Sequence, residues 1–130
     1  MYYYEKDYIM RLIHGIARML AKMLFDKELT DDSGLVMFRD EGTDETCDYL
    51  RRMVDNGEIN AAENRLFELI ESSAWEERRL AALIIVFYDY VNGKDDEFLV
   101  KAGFSREEII RGLEDAMHAV GMDIPEYLRV

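Results

Sequence analysis

The 130-residue sequence has few of the residues that build turn-rich or covalently braced proteins. It contains one proline, Pro125, one cysteine, Cys47, and eight glycines. β-Sandwiches and barrels use many more turn residues than this. A single cysteine also excludes an internal disulfide framework. These shortages favour an all-α protein.

Long apolar runs and excess positive charge are missing as well. The longest uninterrupted apolar run, Leu80 to Tyr88, has nine residues, whereas a membrane-spanning helix needs roughly 20. Residues 8–25 are interrupted by Arg, His or Lys at every turn, unlike a secretory leader. The net charge of −12 has the wrong sign for a nucleic-acid binder, because phosphate contacts supply most of that affinity. We expect a cytoplasmic protein with no nucleic-acid partner, and membrane attachment is disfavoured.

What the sequence does contain is helical periodicity. With 49% hydrophobic residues, the chain is too apolar to be disordered. We predict one helical domain over residues 1–130, made of an amphipathic first helix (1–25), an acidic connection (26–42) and a helical body (43–130). Short links between helices favour antiparallel neighbours. The five main helices are predicted near residues 7–25, 44–55, 59–71, 73–91 and 105–120, with short helical pieces near 95–102 and 126–129.

Helix ends are marked by capping and stop patterns. Ser73 with Glu76, and Ser105 with Glu108, fit the capping box that opens a helix. The pairs Asn56-Gly57 and Asn92-Gly93 are typical of helix ends. Leu80 to Tyr88 is apolar on every side, which predicts that its helix lies at the centre of the bundle.

The first helix carries an apolar stripe and a basic stripe. The apolar residues recur every three or four positions, so we predict that they face the core and that the methionines among them fill gaps there. This stripe consists of Ile9, Leu12, Ile16, Met19 and Met23, widened by Tyr8, Ile13, Leu20 and Leu24. The basic stripe consists of Arg11, His14, Arg18 and Lys22.

The basic stripe permits three interpretations. Residues 1–25 carry a net charge of +2. The rest of the chain therefore carries −14, which gives the total of −12. The stripe could face the chain's own acidic helices or solvent, as charged helix faces usually do. It could instead dock onto an acidic partner, or lie on a membrane surface. An acidic body would be repelled by anionic lipid, which counts against the membrane.

The N-terminus adds three consecutive tyrosines, Tyr2, Tyr3 and Tyr4, and tyrosine is well suited to interfaces. Our leading hypothesis is a non-enzymatic protein-interaction module. It would bind a protein partner or a second copy of itself through the first helix, as a homo-oligomer in the second case. The predicted contact residues are Tyr2, Tyr3, Tyr4, Arg11, His14, Arg18 and Lys22.

The alternative hypothesis is a small-molecule or metal-binding protein, with enzymatic activity as an option, and a pocket near His14, Cys47 or His118. Asp115 precedes His118 by three residues, a spacing that shares a helix face and that metal-binding bundles use. The motif occurs once, so ligands are too few for a metal site. Pairs of acidic residues lie mainly at helix starts, where they complement the helix dipole. We therefore predict no catalytic residue, no cofactor and no metal.

Two resemblances support the helical interpretation. Residues 57–62, Gly-Glu-Ile-Asn-Ala-Ala, resemble the middle of a tetratricopeptide repeat, which implies repeat-like helix pairs within residues 44–91. Residues 5–13, 57–64, 96–99 and 104–108 together resemble an uncharacterised family of small helical proteins, a domain of unknown function found chiefly in Gram-positive anaerobic bacteria. The resemblance implies a helical, cytoplasmic protein and carries no functional residues.

Overall fold

The computed structural model describes residues 2–26, 44–72 and 74–124, and all regular structure in these ranges is helical. The expected all-α helical array is therefore confirmed. Within these ranges, six helices pack against one another. They are α1 (Tyr2–Phe25), α2 (Asp44–Asp55), α3 (Ile59–Ser72), α4 (Glu77–Asn92), α5 (Asp96–Ala102) and α6 (Arg106–Ala119).

Helix α4 forms the centre of the array. Every residue from Leu80 to Tyr88 is buried, because α1, α2, α3 and α6 all pack around this helix. The nine-residue apolar run therefore belongs to a central helix, as its lack of a polar side predicts.

Helix α1 runs antiparallel to α4, as hydrogen bonds near both ends show. Arg78, in the first turn of α4, donates to the Leu24 carbonyl at 3.3 Å. At the other end, Asn92 Nδ2 donates to the Met10 carbonyl at 2.8 Å. The core-facing side of α1 buries Ile13, Ile16, Ala17, Leu20, Ala21 and Phe25.

Helix α6 is also antiparallel to α4. Arg106, at the start of α6, contacts Asn92 at the end of α4, while Glu77 at the start of α4 lies beside Gly121 after α6. The predicted capping box opens α6, because the Ser105 side chain accepts from the Glu108 amide and the Glu108 side chain accepts from the Ser105 amide.

Helices α2 and α3 form a hairpin whose turn contains Gly57. This glycine has φ of 82°, a left-handed conformation that favours glycine over residues with a Cβ. The small side chain of Ala62 is fully buried. The hairpin contains the segment that resembles a tetratricopeptide repeat, and the repeat-like interpretation itself stays a prediction.

Two helix starts differ from the sequence-based expectation. Helix α1 begins at Tyr2, five residues before the predicted start near residue 7. Helix α4 begins at Glu77 with Glu76 as N-cap, and no side-chain hydrogen bond caps it.

Several predictions fall outside the described residues. They concern Ser73, most of the acidic connection at 26–42, and the final short helix near 126–129. Among the described helices, none combines the length and apolar character needed to cross a membrane.

Candidate interaction surface

The solvent-facing side of α1 carries the predicted basic stripe. Its exposed residues recur at helical spacing, and we call them the outer face of α1. The outer face consists of Tyr8, Arg11, Gly15, Arg18, Met19, Lys22 and Met23. The opposite side of the same helix packs on α4 and α6, so α1 is both a core element and a surface element.

Three of the predicted contact residues, Arg11, Arg18 and Lys22, lie together on the outer face. Lys22 Nζ is 2.9 Å from Asp26 Oδ1, an exposed pair one turn apart. Within the described part of the chain, neither Arg11 nor Arg18 forms an ion pair with a carboxylate. Two guanidinium groups on an acidic protein are therefore exposed to solvent without a counter-charge among those residues.

His14 lies apart from the three cations. It is half-buried, and its Nδ1 atom is 2.7 Å from Asp89 Oδ1 on α4. This contact joins α1 to the central helix, which gives the histidine a structural position at the edge of the basic stripe. Tyr2, Tyr3 and Tyr4 belong to the first turn of α1, and their side chains lie outside the described part of the structure.

The outer face also exposes apolar side chains. Tyr8 is 56% exposed, Met19 41% and Met23 53%. The predictions that Tyr8 faces the core and that Met19 and Met23 fill gaps there are therefore wrong. The apolar stripe of α1 is wider than the arc that α4 and α6 cover, and the methionines lie beyond the covered part.

A second group of polar residues lies in the interior, between α3, α4 and α6. The fully buried Tyr88 hydroxyl donates to Glu63 Oε2 at 2.6 Å. Burial raises the pKa of the Glu63 carboxyl, the Tyr88 hydrogen bond opposes that rise, and the nearby Glu108 and Asp115 carboxylates add to it. Burial and the adjacent Glu63 likewise hold the pKa of Tyr88 well above its ordinary value.

Gly112 lets α6 approach this pair closely. A Cβ atom added to Gly112 would lie 2.6 Å from the Tyr88 hydroxyl oxygen and closer still to the Glu63 carboxylate. The glycine is thus required by the helix crossing rather than by its backbone conformation. Tyr88, Glu63 and Gly112 contact one another at the place where α6 crosses α3 and α4. We therefore assign these residues a structural role in core packing.

The end of α4 connects most of the other helices through polar contacts. The buried Arg106 guanidinium donates to Asn92 Oδ1 at 3.0 Å, to the Lys94 carbonyl at 2.7 Å and to Asp96 Oδ1 at 3.1 Å. Tyr90 donates to Asp55 on α2, and Lys94 pairs with the same carboxylate at 2.7 Å. These bonds tie α2 and α6 to the end of α4.

The residues proposed for the alternative pocket do not come together with other metal ligands. Cys47 is buried, and His118 is exposed with its Nδ1 atom beside Asp123. In the described ranges, no group of three or more His, Cys, Asp or Glu side chains is arranged to hold a metal ion.

An open groove lies between the first half of α1 and the link from α5 to α6. Its volume is about 330 Å³. It is lined by the apolar residues Ile9, Leu99, Val100 and Phe104 and by the charged residues Asp96, Arg106, Glu107 and Glu108. The groove contains none of His14, Cys47 and His118, so it is a different place from the predicted pocket.

Comparison with known proteins places the chain in a family. Residues 3–121 match the model of DUF6483, a family of unknown function. The chain belongs to this family. No curated protein matches this DUF6483 chain, and no solved structure matches it either. The family description assigns no activity, so the residue roles of this DUF6483 member rest on its own geometry.

Sequence reasoning missed the polar contacts at the end of α4. The pair Asn92-Gly93 predicts a helix end and nothing more. In the structure, Asn92 is also buried and forms hydrogen bonds with both α1 and α6. A buried Arg106 is equally invisible in a charge pattern, because arginine is mostly exposed. The sequence signal at this place is the abrupt change after Tyr88, where the apolar segment is followed by Asp89, Tyr90, Asn92 and Lys94 within six residues.

Proposed function

We propose that this protein is a non-enzymatic interaction module that binds a protein partner through the outer face of α1. One observation carries the proposal. Arg11 and Arg18 lack carboxylate partners among the described residues and stand beside the exposed side chains of Tyr8, Met19 and Met23. Mixed cationic and apolar surfaces of this kind are typical of protein interfaces, where arginine, methionine and aromatic residues are enriched.

The packing of α1 supports the proposal further. The core side of α1 holds the outer face on a rigid scaffold, because Ile13, Leu20 and other side chains of that side are buried against the array. A rigid face binds with a smaller entropy cost than a mobile segment. The N-terminal tyrosines continue the same helix and remain part of the proposed contact surface. The proposal keeps the cytoplasm as the compartment, where a single cysteine such as Cys47 stays reduced.

Charge reversal on the outer face tests the proposal. We expect the double variant Arg11→Glu/Arg18→Glu to lose a partner that co-purifies with the tagged full-length protein, as identified by mass spectrometry. The matched control is Arg52→Glu/Arg111→Glu, which makes the same change in net charge at exposed positions on α2 and α6. Circular dichroism checks that both variants remain folded.

The outcomes separate clearly. A partner that is lost only from the outer-face variant supports the proposal. A partner retained by both variants, or lost from both, contradicts it. Light scattering on the purified protein identifies the case in which the partner is a second copy. Removal of residues 1–25 is not a useful test, because α1 contributes buried core residues and the remainder would unfold.

The groove beside α5 favours a second candidate function, the binding of a small molecule. Its lining is apolar with an excess of acidic residues, because Arg106 is already paired with Asp96 while Glu107 and Glu108 add two further carboxylates. Such a groove would suit an apolar ligand that carries a positive charge. A thermal-shift screen against cationic metabolites tests this candidate. A ligand that raises Tm for the natural protein but not for a variant with Val100→Arg, at an exposed position of the groove, would support it, and the absence of any such ligand would count against it.

A further inference from the structure

Gly15 occupies the middle of the outer face without a structural reason inside the described chain. It is exposed, it lies within α1, and it does not adopt the left-handed backbone conformation that favours glycine. No described atom comes within 4 Å of a Cβ atom added there. A glycine inside a helix costs about 0.5–1 kcal/mol relative to alanine. The tertiary structure therefore does not account for a residue that weakens α1.

The outer face is divided into two flanks on either side of Gly15. Successive residues of an α-helix are about 100° apart around its axis. This rotation places the three cations on one flank of Gly15 and the exposed apolar residues on the other. The cationic flank is Arg11, Arg18 and Lys22, and the apolar flank is Tyr8, Met19 and Met23. Gly15 is a gap between the flanks that allows a second backbone to approach α1 closely.

We propose that the outer face receives an acidic amphipathic helix of a partner protein, which crosses α1 at Gly15. The proposal rests on the interaction function above and adds the chemistry and the geometry of the partner. The partner's carboxylates would pair with the cationic flank, and its apolar side would cover Tyr8, Met19 and Met23. Arg11, Arg18 and Lys22 are seven and four residues apart, a spacing that carboxylates on one face of a helix can match.

Charge favours this occupant over a second copy of the chain. Two α1 helices packed antiparallel about a two-fold axis keep each flank beside the same flank of the other copy. The two cationic flanks would then lie side by side, and like charges at that distance are destabilising. A parallel two-fold pair would instead place each cationic flank beside the other copy's apolar flank, which has no carboxylate. An acidic amphipathic helix meets both flanks with complementary surfaces, so charge favours it over either symmetric pair.

The test uses the full-length chain and a synthetic probe. The probe is a fluorescent helical peptide of about 21 residues, with alanine along its central seam, glutamate on one flank and leucine on the other. Its matched control carries lysine in place of each glutamate. The protein variants are Gly15→Gln, Arg11→Glu/Arg18→Glu and, as a control, Ala61→Gln at an exposed position of α3. Fluorescence anisotropy measures Kd, and thermal unfolding measures stability.

We expect the natural chain and Ala61→Gln to bind the acidic peptide with equal affinity and to bind the lysine peptide at least tenfold more weakly. Gly15→Gln should bind the acidic peptide at least tenfold more weakly while its Tm stays equal or rises, because glutamine is the better helix former and meets open space. A bulky side chain at the crossing point, rather than a loss of folding, would then be the cause.

Other outcomes overturn the inference in distinguishable ways. If Gly15→Gln binds normally while Arg11→Glu/Arg18→Glu does not, the crossing at Gly15 is wrong and the interaction function stands. If neither variant changes the affinity for the acidic peptide, both proposals fail. If the lysine peptide binds as tightly as the acidic peptide, the acidic partner is wrong. It is also wrong if light scattering shows that the natural chain is a dimer and that Gly15→Gln makes it a monomer.

Discussion

The outer face of α1 and the interior polar pair Tyr88–Glu63 each contain or adjoin a glycine inside a helix, and the two glycines differ in their surroundings. Gly112 lies where α6 crosses Tyr88 and Glu63, and a Cβ atom there would collide with both. Gly15 lies in open space among exposed cations and apolar side chains. The contrast shows that packing within the chain requires a glycine at one position, Gly112, and gives no reason for a glycine at the other, Gly15. An unexplained glycine on an exposed face then directs attention to a partner.

The same contrast holds for arginine. Arg106 is buried and hydrogen-bonded to α4 and to the link that precedes α5. Arg18 is exposed and has no carboxylate partner within the described ranges. We therefore expect substitutions in the interior to reduce stability and substitutions on the outer face to alter binding with little change in stability.

The largest effect is expected at Arg106. Replacement by leucine would leave the Asn92 side-chain oxygen and the Lys94 carbonyl without their donor, and each buried group left unsatisfied costs about 1–3 kcal/mol. Urea unfolding followed by circular dichroism measures the free energy of unfolding. Arg18→Leu is the control and should stay within about 0.5 kcal/mol of the natural protein. Equal effects at both positions would contradict the distinction between the two regions.

Gly112→Ala should have the next largest effect. The added methyl group forces Tyr88 and Glu63 apart, and overpacking of this kind costs about 1–3 kcal/mol. The same unfolding experiment measures it. A variant as stable as the natural protein would show that α6 can shift away from α3 and α4 without loss.

Tyr88→Phe should reduce stability by about 1–2 kcal/mol, because it removes the hydrogen bond to the half-buried Glu63 carboxylate. The loss should be smaller in acid, where Glu63 is neutral and has less need of a donor. Unfolding measured at several pH values tests this trend. A loss that is independent of pH would assign the effect to packing of the ring alone.

The raised pKa of Glu63 predicts a pH dependence for the natural protein. Because its pKa is higher in the folded state than its ordinary value of 4.5, the folded chain binds more protons in the window just above that value. This carboxyl therefore contributes stability in acid that is lost as pH rises through the folded-state pKa. Asp55 has the opposite sign, since hydrogen bonds from Lys94 and Tyr90 outweigh desolvation and lower its pKa.

Glu63→Gln isolates that contribution. The variant should gain stability relative to the natural protein as pH rises across the window, whereas the exposed control Glu71→Gln should not. Denaturant titrations of all three proteins at matched salt provide the comparison. A constant difference between Glu63→Gln and the natural protein would refute the assignment.

The smallest expected effect on stability is at Gly15. Gly15→Ala should stabilise the protein by about 0.5–1 kcal/mol, because alanine is the better helix former and its Cβ meets no described atom. Thermal unfolding measures the rise in Tm. A loss of stability would mean that the outer face packs within the chain and would remove the contrast with Gly112.

Much of the fold followed from local patterns. The range of α2 was predicted to the residue, and the capping box of Ser105 and Glu108 correctly marked the start of α6. Such patterns succeed because a cap or a helix stop acts within one turn of backbone. The central place of α4 followed from its lack of a polar side.

The candidate surface was predictable only in part. The spacing of Arg11, Arg18 and Lys22 placed them on one face of a helix, and the structure shows all three exposed. The same reasoning could not exclude His14 from the exposed set, because its contact with Asp89 joins residues 75 positions apart. Nor could it show that Met19 and Met23 are exposed.

The sequence alone determined that this chain is helical, where most of its helices begin and end, and that one of them is basic within an acidic protein. Only the tertiary structure decided which residues of each apolar stripe are buried and which are exposed. It also decided which polar groups are buried in contact with one another and which glycine is needed for close helix packing. The physical reason is one of range. Capping and periodicity depend on residues a few positions apart, whereas the coverage of a helix face depends on which other helices reach it.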